Sequence, residues 1–175
     1  IHSDKRFSYE DAQQVLDDQA GEYLTELNQL MELSRQLRKY RYQSGAIAFE
    51  QPEVKFELYE RGAPIRAYTK HRTETMMMIE DFMLLANETV AREAAEKKLP
   101  IPYRIHEPPS SDRLEELRRF LGTLGYPLAK RNVNAKDLQK IIKSVEGRPE
   151  AALVSTVILR SMARARYQAR NVGHF

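Results

Sequence analysis

Two adjacent carboxylates, Glu80 and Asp81, stand in the middle of the most apolar stretch of the chain, residues 76–87. A helix that is apolar on nearly every side is normally buried. A buried carboxylate is costly unless it is paired, hydrogen-bonded or open to a wet cleft. Helical spacing places Glu80 on an apolar stripe with Met76 and Met83, and turns Asp81 about a quarter-turn away, towards solvent. Glu80 is therefore either a functional carboxylate in a cleft or a buried carboxylate that an arginine or a loop satisfies.

A second chemical feature is the segment 35–42, Arg-Gln-Leu-Arg-Lys-Tyr-Arg-Tyr, which mixes cations with aromatic rings. Such a mixture can bind the phosphates of a nucleic acid backbone. The alternative is structural, because cations near a helix C-terminus complement its dipole and their long stems cover apolar surface.

The residues that most often hold metals are scattered along the chain. There is no cysteine, and the four histidines form neither an i, i+4 pair nor an HExxH motif, which argues against a histidine-based zinc site. The aspartates form no cluster of the kind that holds two hard divalent ions. We therefore expect no metal site within this chain.

Composition places the chain among soluble globular proteins. It has 175 residues, of which 42% are hydrophobic and 30% charged, enough for one domain with a core. No run approaches the roughly 18 apolar residues of a membrane span, so we expect no membrane partner. The net charge of +3 permits an anionic partner, and the absence of cysteine fits a reducing cytoplasm.

Periodicity and capping residues predict a helix-rich α+β fold with a long central buried helix and a small β-hairpin. Proline, glycine and N-cap residues set the predicted boundaries. The predicted helices are 9–18, 22–42, 73–97, 111–124, 135–145 and 149–165; the predicted hairpin strands are 54–59 and 65–69, and residues 46–50 and 103–106 are predicted to be extended.

Four stretches of the sequence, taken in order, carry a resemblance to a known family. They are Ser8-Tyr9-Glu10 before a helix, the segment 79–87 (Ile-Glu-Asp-Phe-Met-Leu-Leu-Ala-Asn), the segment 103–109 (Tyr-Arg-Ile-His-Glu-Pro-Pro), and 159–162 (Leu-Arg-Ser-Met) running to 173–175 (Gly-His-Phe). Together they resemble the RNB catalytic domain of the ribonuclease R and ribonuclease II exoribonucleases, and more closely its ribonuclease R branch. The resemblance spans nearly the whole chain and implies one partial domain, residues 1–175, from the middle of that catalytic domain.

The resemblance implies roles for two residues near the reacting end of an RNA. Tyr9 matches a family tyrosine that packs against the 3′-terminal nucleotide, and Glu80 matches a glutamate that holds that nucleotide near the active site. A carboxylate can accept a hydrogen bond from a ribose 2′-hydroxyl, the group that distinguishes RNA from DNA. Asp81 stands where the family more often has a second glutamate, so no role is carried over to it. The alternative for Tyr9 is a half-buried packing residue in the first turn of its helix.

Further RNA contacts follow from the same resemblance. Phe49 matches a phenylalanine that stacks on one end of the row of 3′ bases, although it alternates with Ile47 as a core strand residue does. The last predicted helix carries Arg160 and Arg164, in a region that approaches the RNA channel in the family. We expect both arginines to contact phosphates.

The implied function is processive 3′→5′ hydrolysis of single-stranded RNA to nucleoside 5′-monophosphates with Mg²⁺. The four aspartates and the arginine that perform this chemistry in the family match no residues of this chain. We therefore expect the full-length protein to be a monomeric, cytoplasmic RNA hydrolase with no DNA substrate, and this chain alone to be inactive. The alternative is a non-catalytic module of the same fold that binds RNA or a protein.

A chain cut from the middle of a domain is also expected to expose apolar surface. We therefore expect the chain to associate with itself through that surface. A strict monomer in size-exclusion chromatography, with no exposed apolar patch, would argue against it.

Overall fold

The computed structural model describes residues 2–47, 53–59 and 61–175. Six helices and four short strands lie within these ranges, which confirms the predicted helix-rich α+β class. In chain order the elements are α1 (Tyr9–Asp18), α2 (Leu24–Ser44), β1 (Glu53–Leu58), β2 (Pro64–Lys70), α3 (Glu74–Glu96), β3 (Tyr103–Ile105), α4 (Ser111–Thr123), α5 (Ala135–Ser144), α6 (Ala151–Ser161) and β4 (Arg166–Gln168).

Side-chain caps fix the start of three helices where the sequence predicted them. Ser8 Oγ accepts a hydrogen bond of 3.0 Å from the backbone N–H of Asp11 at the start of α1. Ser110 caps α4 in the same way, and Asn134 forms a reciprocal capping box with Asp137 at the start of α5. Each cap satisfies backbone donors that have no partner within the helix.

Gly45 ends α2, as the sequence predicted, and its backbone needs a glycine. Its φ is +111°, and a Cβ at this position would lie 2.8 Å from the Cγ of Lys136. The helix begins at Leu24, two residues later than predicted. Of the predicted extended segment 46–50, residues 48–50 lie outside the described residues.

Two antiparallel pairs of strands make up the sheet structure of the described residues. The first, β1 with β2, is the predicted hairpin, with Phe56 opposite Ala67 and Glu57 opposite Arg66. The second pairs β3 with β4, which the sequence did not predict as a strand. The last helix is also shorter than predicted, because it was predicted to run to residue 165 and α6 ends at Ser161.

The chain folds into two compact units: residues 1–40 with 50–87, and residues 41–49 with 88–175. The first unit has a core between α1, α2 and α3, formed by Ala12, Leu16, Leu27, Met31 and Met78. The second unit has a larger core from α4, α5 and α6 with the loops that follow them, formed by Leu117, Leu121, Leu128, Leu138, Ile141, Val145, Val154, Ile158 and Met162. A smaller cluster joins Ala94 to β3 through Tyr103 and Ile105.

Helix α3 is long and largely apolar, as predicted, but it is buried along one face only. Met78 and Ala94 are 4% exposed, whereas Met83 and Val90 are about 60% exposed. The hairpin likewise exposes Val54, Phe56 and Leu58. The described residues thus carry exposed apolar surface, as expected; self-association through it stays a prediction. Among the described residues, no helix is long and apolar enough to cross a membrane.

A polar contact at the edge of the larger core links Tyr126 to Glu150. The Tyr126 hydroxyl donates a hydrogen bond of 2.6 Å to Glu150 Oε1 and accepts one of 3.1 Å from Arg148 Nη1. The hydrogen bond from Tyr126 lowers the pKa of the Glu150 carboxyl. The same bond, with a smaller contribution from burial, raises the pKa of the Tyr126 hydroxyl.

These two pKa shifts predict how the stability contribution of Tyr126 depends on pH. The lowered pKa of Glu150 gives stability that is present above the unfolded value of about 4.3 and is lost as pH falls through the folded pKa. The raised pKa of Tyr126 gives stability that is present below about 10 and is lost as pH rises through the folded pKa. Tyr126→Phe should therefore be destabilising between about pH 5 and 9, and the difference from wild type should shrink at both extremes. Urea unfolding across this pH range measures it.

An exposed tyrosine provides the control for that measurement. Tyr40, on α2, is 71% exposed, and Tyr40→Phe should leave the pH profile of the unfolding free energy unchanged. A Tyr126→Phe difference that stays constant from pH 3 to pH 11 would contradict the proposed coupling.

Candidate functional site

Within the first unit, two hydrogen bonds connect the start of α3 to α1. Thr75 is 1% exposed; its hydroxyl donates to the backbone oxygen of Tyr9 at 3.0 Å, and its N–H donates to Gln13 Oε1 at 3.1 Å. Glu80 follows Thr75 by five residues, which is about 7.5 Å along a helix axis. The backbone of Tyr9 therefore lies at the start of the helix that carries Glu80, although the two residues are far apart in sequence.

Both of these predicted site residues are accessible. Tyr9 is 44% exposed, more than a packing residue of the core would be. Its ring is therefore available for a stacking contact, and its hydroxyl for a hydrogen bond. The Glu80 side chain is 49% exposed and can accept hydrogen bonds from a ligand in solution.

Arg72 forms an ion pair with Glu80. Its side chain is 56% exposed, so solvent screens the pair and its contribution to stability is small. Chemically, the pair presents an acceptor for a hydroxyl beside a donor for a phosphate. Arg72 was not predicted as a site residue, because an arginine eight residues from a glutamate carries no recognisable motif.

The predicted orientations of Glu80 and Asp81 were wrong and are exchanged in the structure. Glu80 faces solvent, whereas Asp81 is 2% exposed. The buried face of α3 follows Thr75, Met78 and Asp81, each three residues apart. Asp81 tolerates burial because Ser34 Oγ donates to its Oδ2 at 2.7 Å and Arg38 Nε at 3.0 Å. The buried carboxylate is thus the structural one, and the exposed carboxylate is the candidate for function.

This arrangement gives Arg38, within the basic segment 35–42, a structural role that differs from the predicted one. The Arg38 side chain is only 15% exposed and lies between Asp81 and Glu74, with Nη1 3.4 Å from both Glu74 carboxylate oxygens. Arg35 is 60% exposed and 3.8 Å from Glu74. Arg38 therefore stabilises the packing of α2 and is not available to a phosphate.

Arg160 and Arg164 lie in the second unit, and only Arg160 is on a helix. The prediction that Arg164 belongs to the last helix was wrong, because α6 ends at Ser161. Both arginines are exposed. The segment that carries Arg164 is held at its start: Arg113 Nη1 donates to Met162 O at 3.0 Å, and His106 Nε2 lies 2.6 Å from Ala163 O.

Phe49, the predicted stacking residue, lies outside the described residues. Of the predicted site residues, the first unit therefore holds Tyr9 and Glu80, and the second holds Arg160 and Arg164.

The acidic and histidine side chains of the described residues form no group of three that could hold a metal ion. Glu80 is engaged by Arg72, and Asp81 by Arg38 and Ser34. These residues do not fit a divalent ion, which needs several carboxylate oxygens at one point.

The model of the RNB domain family matches residues 1–175, the whole chain. The chain belongs to the RNB domain family. Among curated members, Ribonuclease R of Aquifex aeolicus is 40% identical over all of the chain, and Ribonuclease R of Escherichia coli is 34% identical over 93% of it. The chain covers 26% and 20% of these two proteins, so it spans about a quarter of the length of its curated relatives or less.

Solved structures agree with this assignment to the RNB domain family. The chain is similar, with a TM-score of 0.85 and 26% identity, to RNase R of Mycoplasma genitalium in complex with ribose-methylated single-stranded RNA. A structure of the same RNase R with double-stranded RNA gives a TM-score of 0.86. The matches cover 97% of this chain and 28% and 32% of those chains. The predicted resemblance to the ribonuclease R branch is thus confirmed.

Proposed function

We propose that this chain is the RNA-binding part of the catalytic domain of a processive 3′→5′ exoribonuclease of the ribonuclease R type. The full-length protein would hydrolyse single-stranded RNA to nucleoside 5′-monophosphates, as a monomer in the cytoplasm, and would not use DNA. The whole-chain match to the RNB family carries the proposal. The similarity to an RNase R whose structure contains single-stranded RNA supports it further.

In this proposal Glu80 and Tyr9 hold the 3′-terminal nucleotide. Glu80 accepts a hydrogen bond from its ribose 2′-hydroxyl, and Tyr9 packs against the nucleotide. The exposure of both side chains supports these roles, as does the hydrogen bond that ties Thr75 to the backbone of Tyr9. Phe49 is proposed to stack on the row of bases, and Arg160 and Arg164 to contact phosphates.

The metal chemistry of the proposed reaction is assigned to residues outside this sequence. Two-metal hydrolysis of a phosphodiester needs carboxylates that clamp both ions, and the described residues do not fit such ions. We therefore propose that the Mg²⁺ ligands and the catalytic arginine lie elsewhere in the full-length protein. The 175-residue chain alone should bind RNA without hydrolysing it.

Replacing Glu80 with alanine in the full-length protein should reduce its discrimination between RNA and DNA. A hydrogen bond to a charged group contributes about 1.5–3 kcal/mol, so the ratio of kcat/KM for RNA to that for DNA should fall about 10- to 150-fold. The measurement is stepwise decay of a labelled single-stranded RNA and of the DNA of the same sequence, with Mg²⁺ and with EDTA.

Glu88, an exposed carboxylate on the same helix, provides the matched control. Glu88→Ala should leave the RNA-to-DNA ratio unchanged, and Glu80→Gln should retain part of it because the amide oxygen still accepts a hydrogen bond. An unchanged ratio in Glu80→Ala would remove the role assigned to Glu80 while leaving the exoribonuclease assignment in place.

A second candidate function is a non-catalytic module that binds RNA or a protein. The lack of a metal-binding group among the described residues fits both functions equally, because the exoribonuclease is proposed to hold its Mg²⁺ outside this chain. The same decay assay separates the two functions. A well-folded full-length protein that binds RNA but degrades none would support the binding module, whereas Mg²⁺-dependent decay from the 3′ end would support the exoribonuclease.

A further inference from the structure

In the two-stranded ribbon of β3 and β4, strand β3 is buried on one face and open on the other. Tyr103 and Ile105 of β3 are buried, whereas Arg104 between them is exposed. Strand alternation places successive side chains on opposite faces, and Tyr167 is the residue directly opposite Arg104 in the register. Arg104 and Tyr167 therefore share the open face.

These two side chains form a cation–aromatic pair at the surface. The guanidinium carbon of Arg104 lies 5.9 Å from the centre of the Tyr167 ring. Tyr167 nevertheless remains 69% exposed, and Arg104 can cover at most one face of the ring. A large, open aromatic surface on a paired strand is available to stack on a base, and base stacking tolerates any sequence.

The charges along this segment favour an anionic partner. Residues 159–172 contain four arginines and no aspartate or glutamate. One of these arginines, Arg166, forms an ion pair with Glu107, with Nη2 2.9 Å from Oε2. Because Arg166 precedes Tyr167 on the strand, it points to the opposite face. Its ion pair with Glu107 therefore does not involve Arg104, which forms no ion pair with another described residue.

We propose that Arg104 and Tyr167 form a contact site for single-stranded RNA, in which Tyr167 stacks on a base and Arg104 binds the adjoining phosphate. Arg164, exposed and three residues before Tyr167, adds a further positive charge to the same segment of the chain. The site deepens the proposed function and rests on it. It adds an aromatic platform in the second unit to the residues that hold the terminal nucleotide.

Photochemical cross-linking of the wild-type 175-residue chain tests the site without a substitution. The chain is mixed with a fluorescein-labelled oligouridylate that contains 5-iodouridine, and the complex is irradiated. The protein is then digested, and the peptide linked to RNA is identified by mass spectrometry. Cross-links at Tyr167 are the expected result. Fluorescence anisotropy with the same RNA should show that Tyr167→Ala weakens binding about fivefold or more, as loss of one stacked base does, and that Tyr167→Phe stays within about twofold.

Two further variants make the measurement specific. Arg104→Ala should weaken binding and reduce the slope of log affinity against log salt by about one phosphate contact. Tyr59, in the first unit, is 62% exposed, and Tyr59→Ala should bind as wild type does; circular dichroism confirms that each variant is folded.

The outcomes separate this inference from the function on which it rests. A chain that binds RNA with no cross-link at Tyr167 and unchanged affinity in Tyr167→Ala overturns the inference alone and would leave the open face to a protein partner. A wild-type chain that binds no RNA at low salt overturns the RNA-binding role together with this site.

Discussion

Replacing Arg38 with methionine should lower the free energy of unfolding by about 3–5 kcal/mol, as removal of one partner of a buried ion pair does. The Asp81 side chain is 1% exposed and lies 3.0 Å from Arg38 Nη2. Methionine approximates the length of the arginine stem, so the substitution removes chiefly the charge and its donors. The carboxylate would then remain buried without the charge and the donors of Arg38, which offset part of its loss of hydration.

Arg38 has few substitutes because it serves several acceptors at once. Its Nε donates to Asp81 Oδ2 at 3.0 Å, and its Nη2 lies 3.3 Å from Ser34 Oγ, which itself donates to Asp81. Its Nη1 faces Glu74. Ser34 and Arg38 are four residues apart on α2 and therefore lie on the same face of the helix. Loss of Arg38 affects the packing of α2 against α3, the helix that carries Glu80.

The matched control is Arg35→Met, one turn away on the same helix. Arg35 is 60% exposed and only 3.8 Å from Glu74, so its removal should cost less than about 1 kcal/mol. The double variant Arg38→Met with Asp81→Leu should recover much of the lost stability, because it removes the buried charge together with its partner. Urea unfolding of the four proteins measures these differences. If Arg35→Met and Arg38→Met lowered the free energy of unfolding equally, the buried ion pair would contribute no more to stability than the exposed one.

Local signals made much of this fold predictable. The starts of α1, α4 and α5 follow from Ser8, Ser110 and Asn134, whose side chains cap the helices that immediately follow them. The hairpin was predictable for the same reason, since β1 and β2 are joined by a turn containing Gly62 at φ +82°. In each case the residues that fix the structure lie within a few positions of it.

Contacts between distant residues account for what the sequence did not predict. Strand β4 contains only Arg166–Gln168, and it is a strand because it pairs with Tyr103–Ile105, about sixty residues earlier. The buried face of α3 was mispredicted for a related reason. When a helix is apolar all round, its hydrophobic pattern does not select a face. The choice between Glu80 and Asp81 depends on Arg38 and Ser34, more than forty residues away.

In the candidate site, too, local motifs predicted some residues, and contacts between distant residues determine the others. Tyr9 and Glu80 were identified through motifs, and the structure shows both exposed, with α1 tied to α3 through Thr75. No motif pointed to Arg72 beside Glu80, or to Tyr167 opposite Arg104. Such pairs come from tertiary structure, and the composition of either segment alone does not reveal them.

Replacing Leu121 with alanine should destabilise the second unit by about 3–5 kcal/mol, the cost of a cavity in a well-packed core. Leu121 is 0% exposed and belongs to the core that joins α4, α5 and α6. For a chain of this size each kcal/mol lowers the melting temperature by about 2–4 °C. Differential scanning calorimetry should therefore show a large downward shift. Leu153, on α6 and 51% exposed, provides the control, and Leu153→Ala should cost less than about 1 kcal/mol.

Together, Leu121→Ala and Arg38→Met also test whether residues 1–175 form one partial domain. The first substitution lies in the second compact unit and the other in the first, while the RNB family model spans both. If the chain unfolds cooperatively as one domain, both variants should shift a single transition that is the same for all spectroscopic probes. Two transitions, each moved by only one of the variants, would contradict the single domain. In that case the terminal nucleotide and the phosphates would be held by units of independent stability.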